Sequence, residues 1–255
     1  MLRIYSNRGA CEPVRPIGIQ LYTLRKPFAA DPLGTLERIR EIGYDAVEFA
    51  APLGSDFAGF AARMRDIGLD CPSAHAGLAD MAERPEDVLA MARALGCRYL
   101  VMPYVLPDQR DWPAVIAAVG AFAQQARNEG LRVAYHHHDF EFEASDGVRP
   151  FDRLVAETDP AFVDFELDVY WLRKGGEDPA SVIKRLAGRV KLVHLKDMAP
   201  DGGMADVGAG TFDFTALIQA ADAAGADHYF VEHDFPPAPY WPSVEASLGH
   251  LRTLD

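Results

Sequence analysis

The chain has 255 residues, 49% of them hydrophobic and 25% charged, which is typical of a globular protein and excludes disordered, collagen-like and disulfide-framed classes. Its 38 acidic residues outnumber 25 basic ones, and the formal net charge of −13 argues against a nucleic-acid partner because phosphate backbones would be repelled. The three cysteines, Cys11, Cys71 and Cys97, show no paired spacing. We expect reduced thiols, with Cys71 and Cys97 as small core residues.

The beginning of the chain is polar. Residues 1–16 contain no continuous apolar segment of the signal-peptide type, so we expect a short polar extension followed by one domain over 17–255. No apolar run approaches the roughly 20 residues of a transmembrane helix, so no membrane partner is expected. A cytoplasmic location is the expectation, and a removed export signal stays open.

Glycine precedes six apolar, β-branched or aromatic runs. Because glycine adopts the left-handed conformation that follows a helix end at little cost, each of these sites predicts that a helix stops and a strand starts. Two further strands, at 16–23 and 161–171, lack such a glycine and bring the predicted total to eight. The six runs with their glycines cover 42–50, 67–77, 95–103, 129–138, 187–197 and 224–234.

Helical patterns fill the intervals between the strands. Asp31 and Asp178 each precede a proline, which predicts an N-cap followed by the first helical residue. Asp111 is expected to cap the longest helix, at about 111–129. Eight alternating units favour a single closed (β/α)₈ barrel, the TIM-barrel fold, over an open sheet. An open dinucleotide-binding sheet would carry a Gly-rich loop after its first strand, and this chain has none there.

The predicted strands end in polar residues. Catalytic groups of such barrels come from the carboxyl ends of the strands, and six of the eight histidines fall there. Chance would scatter these histidines over helix surfaces. The polar strand ends are Glu48, His75, His136–His138, Glu166 with Asp168, His194–Asp197 and Glu232–Asp234.

Asp168, His194 and Glu232 end three successive strands and therefore converge if the barrel forms. Carboxylate and imidazole ligands suit Mn²⁺, Mg²⁺, Co²⁺ or Zn²⁺, and the scarcity of cysteine argues against a structural zinc site. Such a cation, bound to a hydroxyl and the adjacent carbonyl of a sugar, stabilises an enediolate while a base removes the α-proton. Glu48 and His75 have alternatives: an internal ion pair for Glu48 and a hydrogen-bonded, half-buried imidazole for His75.

Seven segments, in order, resemble the xylose isomerase-like TIM-barrel superfamily of sugar phosphate isomerases and epimerases. The resemblance extends from about residue 17 to 254. That superfamily includes sugar isomerases, ketose epimerases, inosose and dehydroshikimate dehydratases and an abasic-site endonuclease branch, so it does not specify a substrate. The segments are IGIQLYTLR, YDAVEFA, AYHHHDFEF, FELDVYWLRKGGEDP, KLVHLKD, DVGAGTFDF and YFVEHD.

The resemblance implies one divalent metal ion held by Glu, Asp, His and Glu from strands five to eight. Asp168 of ELDVYW, His194 of HLKD and Glu232 of VEHD match three of these ligands. The fourth departs from the pattern, because His136 stands where many relatives have a glutamate. We expect His136 to be the ligand, with Glu141 as the alternative ligand or as a nearby acid/base group.

The departure at strand five weakens a symmetrical two-glutamate mechanism and favours one-base isomerisation, or elimination with Glu232 or a histidine as base. His138 lies on the same side of its strand as His136. Lys196 would neutralise a substrate oxyanion or pair with Glu166 or Asp168. The catalytic candidates are therefore Glu232, Glu141, Lys196 and His138. The substrate-binding candidates are Glu48, His75, Tyr170 and Trp171. The last two are aromatic and would stack on a sugar or pack at the barrel mouth.

The leading hypothesis is a divalent-metal-dependent sugar or keto-sugar isomerase/epimerase that works through an enediolate at the carboxyl-terminal mouth of the barrel. The alternatives are a lyase or dehydratase acting on a keto-sugar or inosose, and a non-catalytic sugar-binding barrel. Few basic residues and no Gly-rich nest at this face favour an unphosphorylated small carbohydrate. The stretch FPPAPYWP, 235–242, suits a rim or dimer contact, which leaves a homo-oligomer open.

Overall fold

Eight parallel strands close into a barrel in the computed structural model, which describes residues 15–144 and 147–254. The order around the barrel is β1-β10-β7-β6-β5-β4-β3-β2, so the expected (β/α)₈ fold is confirmed. Cys11 and most of the predicted extension lie outside the described residues. The barrel strands are β1 Ile17–Gln20, β2 Ala46–Phe49, β3 Asp70–His75, β4 Tyr99–Met102, β5 Arg132–His136, β6 Val163–Asp168, β7 Val190–Leu195 and β10 His228–Val231, and a hairpin adds β8 Asp197–Met198 and β9 Met204–Ala205.

Helices connect the strands. Within 15–144 and 147–254, none of them is both long enough and apolar enough to cross a membrane. Short 3₁₀ turns occur at Leu21–Leu24, Pro107–Gln109 and Phe140–Phe142. The α-helices are α1 Arg25–Ala30, α2 Pro32–Ile42, α3 Phe57–Ile67, α4 Leu78–Glu83, α5 Pro85–Leu95, α6 Trp112–Asn128, α7 Pro150–Glu157, α8 Val169–Lys174, α9 Pro179–Arg185, α10 Phe214–Ala224 and α11 Tyr240–Leu251.

The predicted helix boundaries are confirmed. The side chains of Asp31, Asp111 and Asp178 each accept a backbone N–H three residues later and so cap α2, α6 and α9. All six glycines that were predicted to follow helices have φ between +68° and +111°, a range that disfavours side chains with a Cβ. They are Gly43, Gly68, Gly96, Gly130, Gly188 and Gly225.

Two predicted strands, 16–23 and 161–171, are shorter than expected, because a side chain caps a helical turn directly after each. The Gln20 side chain accepts the Tyr22 N–H at 3.1 Å, and the chain turns into a 3₁₀ helix. Asp168 Oδ1 accepts the N–H groups of Tyr170 and Trp171 at 2.9 and 3.0 Å and starts α8. Tyr170 and Trp171 therefore belong to a helix rather than to the strand.

The barrel interior changes from apolar to polar along the strands. Alternate strand residues face the barrel axis. In several strands an apolar residue that faces the axis is followed, two positions later, by a charged or polar residue on the same side. Ala46 is followed in this way by Glu48, Ala134 by His136 and Phe230 by Glu232. The polar groups are therefore concentrated at the carboxyl ends. The apolar interior cluster is Ala46, Tyr99, Val101, Ala134, Leu192 and Phe230, and the larger core lies between the strands and the helices.

Cys71 and Cys97 are buried free thiols with their sulfur atoms 3.7 Å apart. Both belong to the apolar core between the barrel and the helices. The prediction that they are small core residues is confirmed.

Asp197 anchors the glycine-rich segment DVGAGTF that follows the β8–β9 hairpin. Its carboxylate is completely buried and accepts backbone N–H groups at 2.8–3.1 Å. Because the loop amides already donate to Asp197, they are not available to bind an anionic ligand. The donors are Met198, Gly208, Gly210, Thr211 and Phe212.

We predict that Asp197→Ala lowers the free energy of unfolding by about 3–5 kcal/mol, since several buried N–H groups lose a charged acceptor at once. Urea denaturation would measure the loss. Asp201→Ala, in the turn of the β8–β9 hairpin, is the control: Asp201 is exposed and accepts the Gly203 N–H, and we expect a loss below about 1 kcal/mol. Equal losses for the two variants would contradict the anchoring role of Asp197.

Candidate active site at the mouth of the barrel

A cavity of about 690 Å³ opens at the carboxyl ends of the barrel strands. Its polar wall carries groups that the sequence singled out, and aromatic residues surround them. The location is the one at which barrels of this fold hold their active sites. The lining residues with polar or aromatic side chains are Tyr22, His75, Tyr104, His136, His138, Asp139, Phe140, Trp171, Lys196, Glu232, Asp234 and Phe235.

The first cluster of potential metal ligands consists of His136, Asp168, His194 and Glu232. One donor atom from each lies within 4.8 Å of the others, and all four residues are buried. His136 Nδ1, Asp168 Oδ2, His194 Nδ1 and Glu232 Oε2 also lack a hydrogen bond of acceptable geometry, although charged neighbours lie close by. Two nitrogens and two oxygens form a donor set that suits a divalent cation. The residues present therefore fit such an ion.

The second cluster consists of Glu48, His75, Glu166 and His194, and it shares His194 with the first. The Oε2 atoms of both glutamates converge on the Nε2 atoms of both histidines, at distances between 2.6 and 3.2 Å. Gln20 Nε2 donates to Glu48 Oε2 at 2.7 Å. Burial and the neighbouring Glu48 charge raise the pKa of Glu166, whereas His75 and His194 hold the pKa of Glu48 well below its usual range despite burial.

His194 joins the two clusters through its two ring nitrogens. Nε2 lies 2.6 Å from Glu48 Oε2, and Nδ1 lies 2.7 Å from Glu232 Oε2. Burial opposes a charged ring, but the carboxylates of Glu166, Glu232 and Glu48 hold the pKa of His194 well above its usual range. A carboxylate behind a histidine ligand fixes both the tautomer and the ring orientation. Glu48 is placed to do this for His194.

Lys196 is a fully buried cation that reaches the cavity wall. Its Nζ lies 3.0 Å from Asp168 Oδ2 and 2.8 Å from both Glu232 Oε2 and Asp234 Oδ1. Although burial alone would lower it, these three carboxylates hold the pKa of Lys196 well above its usual range. In return, Lys196 and His194 keep the pKa of the buried Glu232 low. The sequence anticipated an Asp168 partner for Lys196 but not the other two.

His138 lines the cavity among aromatic rings. Its ring stacks on Phe140 at 5.7 Å between centroids and lies 5.1 Å from Trp171. Burial, followed by the charge of Lys196, lowers the pKa of His138 well below its usual range, so the imidazole is neutral. Its neighbour His137 faces away from the axis and contacts Phe142 and Phe151, as strand alternation predicts.

Among the predicted site residues outside the first cluster, three do not line the cavity. Glu141 is completely buried, with its two oxygens accepting the Tyr135 hydroxyl and the His138 N–H, each at 2.8 Å. Glu48 lies beneath the wall in the second cluster, and the Tyr170 hydroxyl donates to the Gly202 carbonyl at 3.1 Å. The structure therefore places these three side chains where they support the site rather than face its cavity.

Sequence reasoning left out Glu166 as a site residue and did not consider Gln20 or assign a role to Asp234. Glu166 lies two residues before Asp168, and Asp234 lies two residues after Glu232, so each faces the same side as its neighbour. Gln20 is the last residue of β1 and is the register partner of Glu48 in β2. Extending the alternation rule by one step along each strand would have found all three.

Residues 36–254 match the model of the xylose isomerase-like TIM barrel family. The chain belongs to this family, and the resemblance seen in its motifs is confirmed. An inosose dehydratase of Geobacillus thermodenitrificans is 30% identical over 144 residues, 48% of this chain and 47% of the relative. The chain thus spans about half the length of the curated relatives it matches.

Two solved structures share the fold over nearly the whole chain. A sugar phosphate isomerase/epimerase from Parabacteroides distasonis superposes with a TM-score of 0.81 at 22% identity, covering 96% of each chain. A 3-keto-D-glucoside 4-epimerase from E. coli superposes with a TM-score of 0.73 at 20% identity, covering 93% of this chain and 99% of the other. These two structures show that the fold is shared.

We predict that Glu141 makes stability depend on pH. Burial raises the pKa of Glu141 from its ordinary value of 4.5 to about 7, so the unfolded chain ionises first and stability falls as pH rises through this window. Between pH 5 and pH 8, Glu141→Gln should gain roughly 2–3 kcal/mol relative to the parent protein in denaturant titrations. The exposed Glu143→Gln is the control. A Glu141→Gln difference that stays constant with pH would contradict the prediction.

Proposed function

We propose that the protein is a divalent-metal-dependent enzyme that moves a proton at the carbon next to a carbonyl in a hydroxylated, sugar-like substrate, as a sugar or keto-sugar isomerase or epimerase. The observation that carries the proposal is the first cluster, in which four donor atoms from four consecutive barrel strands meet beside a cavity of about 690 Å³. Membership of the family and its isomerase, epimerase and dehydratase relatives support the same chemistry.

His136, Asp168, His194 and Glu232 would hold the metal ion. His136 Nδ1 is buried and has no hydrogen-bond partner among the described residues, so it is available as a metal ligand. A bound Mn²⁺, Mg²⁺, Co²⁺ or Zn²⁺ supplies a Lewis acid that stabilises negative charge on a substrate oxygen. Glu48 holds the His194 ring from behind, and Glu166 contacts both His136 and His194 at 3.2 Å.

Glu232 is the proposed base. It lines the cavity, and the neighbouring Lys196 and His194 keep its carboxylate ionised, the form that a base requires. The Lys196 ammonium lies 2.8 Å from this carboxylate and reaches the same wall, where it would stabilise the negative charge of the enediolate. Abstraction of the proton and stabilisation of the charge are thus assigned to adjacent side chains.

His138 is the proposed second proton-transfer group. Glu141, the other candidate, does not line the cavity. Its carboxylate instead accepts hydrogen bonds from the Tyr135 hydroxyl and the His138 N–H. His138 lines the cavity as a neutral imidazole, so it would first accept a proton from a substrate hydroxyl and then return that proton to the substrate. The Glu232 carboxylate and the His138 imidazole differ in chemistry. We therefore infer a mechanism in which the proton is delivered preferentially to one face of the substrate.

A lyase is the second candidate function. The inosose dehydratase relatives favour it, and it would begin with the same proton removal by Glu232. Elimination differs in the next step, since a hydroxide or other group leaves the β-carbon instead of a proton returning. The Lys196 ammonium is the cavity group that would protonate the leaving oxygen.

Metal analysis tests the ligand set. We predict one bound divalent ion per chain by mass spectrometry after gel filtration in excess Mn²⁺, and loss of this ion in His194→Ala and Asp168→Ala. Glu48→Gln should weaken metal affinity about 10–100-fold, because it removes only the support of His194. His228→Gln is the control, since His228 lies at the opposite end of β10 from the cluster.

Unchanged metal content in His194→Ala and Asp168→Ala would contradict the assignment of these residues as metal ligands. A protein that binds no divalent ion, and whose ligand binding is insensitive to chelator, would favour a non-catalytic sugar-binding barrel.

Turnover in ²H₂O tests the reaction type. With a panel of ketoses, inososes and 3-keto-glycosides, we expect NMR to show deuterium at the carbon next to the carbonyl without loss of water or of a glycosidic group. Glu232→Gln should abolish this exchange while retaining more metal than His194→Ala, because the amide remains a potential ligand but cannot act as the base. Loss of water or an aglycone would establish the lyase instead, and full exchange in Glu232→Gln would refute the assignment of the base.

A further inference from the structure

Aromatic side chains at the mouth of the cavity are unusually exposed. Tyr22, Tyr104 and Phe235 have 44%, 39% and 73% of their surface exposed, and all three line this one cavity. They make up half of the six large apolar residues that are exposed in the described part of the chain. Clustered apolar exposure of this kind marks a binding surface rather than a packing defect.

These rings stand on opposite sides of the mouth. Tyr22 follows β1 and Phe235 follows β10, which are neighbours in the barrel. Tyr104 follows β4 and Phe140 follows β5, which are also neighbours. In the strand order around the closed barrel, β5 lies opposite β1 and β4 lies opposite β10. The mouth therefore has two aromatic walls, with the first cluster at the base of the cavity.

Contacts within the walls position the rings of Tyr22, Tyr104 and Phe140. Tyr104 meets Phe140 edge to face at 5.3 Å, and the Arg110 guanidinium lies 3.5 Å over the Phe140 ring. On the other wall the Arg25 guanidinium lies 4.2 Å over the Tyr22 ring and donates to the Asp234 carbonyl at 2.8 Å. Rings that are already positioned lose little conformational freedom when a ligand binds.

The cavity is larger than one sugar ring requires. Its volume is about 690 Å³. At about 30 Å³ for each water-sized group there is room for roughly twenty groups, and a hexose with roughly twelve non-hydrogen atoms fills little more than half of it. The polar base suits hydroxyl and carbonyl oxygens, whereas the outer part offers apolar ring faces. The remaining space is therefore matched to a flat, apolar-faced group.

We propose that this outer part is a subsite for a second ring, so that the substrate is a glycoside: a keto-sugar at the metal cluster carrying a ring between the two aromatic walls. This inference rests on the proposed function for the identity of the inner ring. Both an aromatic aglycone and the C–H face of a second sugar stack on aromatic side chains. Their shared chemistry, an apolar ring face, is what the walls recognise.

Calorimetric binding to the Mn²⁺-loaded 255-residue chain tests the subsite with three unreactive probes: methyl β-D-glucopyranoside, phenyl β-D-glucopyranoside and cellobiose. At least one two-ring probe should bind about tenfold or more tightly than the methyl glucoside. Phe235→Ala and Tyr104→Ala should each weaken two-ring binding about three- to tenfold and change methyl glucoside binding less than about twofold. The tighter of the two probes identifies the kind of ring.

Leu33→Ala is the matched control, because Leu33 is 44% exposed like Tyr22 but lies on α2 away from the cavity. Equal affinities for all three probes, or equal effects of Leu33→Ala and Phe235→Ala, would overturn the subsite. Metal-dependent turnover of free keto-sugars without any ring preference would do the same and leave the proposed function standing. Ring-dependent binding without turnover of any keto-sugar would leave the subsite standing and refute the proposed function instead.

Discussion

The imidazole of His194 is the point on which the polar end of the barrel depends. Each of its two nitrogens faces carboxylate oxygen, Glu48 and Glu166 on one side and Glu232 on the other. Burying ionisable groups costs free energy unless each charge has a partner of opposite sign. The His194 ring is a partner for carboxylates on both of its sides. The ring is consequently held in one orientation. The geometry of the first cluster follows from that orientation, because His194 belongs to both clusters.

The loops around this centre divide into supporting and contacting segments. The glycine-rich loop after the hairpin is supporting, since its amides are bound by Asp197. The loops after β1, β4, β5 and β10 instead present aromatic rings to the cavity. A rigid barrel with its polar groups at one end thus combines a charged base with an apolar rim. The proposed proton transfer depends on the charged base, and the proposed second-ring subsite depends on the rim.

Much of the fold could be read from local rules. Helix ends were predictable because a left-handed residue favours glycine, and helix starts because aspartate accepts the free amides of a first turn. The strand limits were less accurate at Gln20 and Asp168, where a side chain turns the backbone into a helix although the flanking residues suit a strand. Asp168, His194 and Glu232 were placed together because parallel strands of a barrel bring their carboxyl ends to one rim.

The sequence alone determined the alternation of strand and helix, the number of barrel strands and the side of each strand that faces inward, since these depend on neighbours a few residues apart. Only the tertiary structure decided that Glu141 turns away from the cavity, that Glu166 joins the histidines and that the aromatic residues form two facing walls. Those arrangements depend on contacts between residues far apart in the chain, such as the 146 positions that separate Glu48 from His194. Local periodicity does not indicate which residues far apart in the chain come into contact. Those contacts form only when the barrel closes.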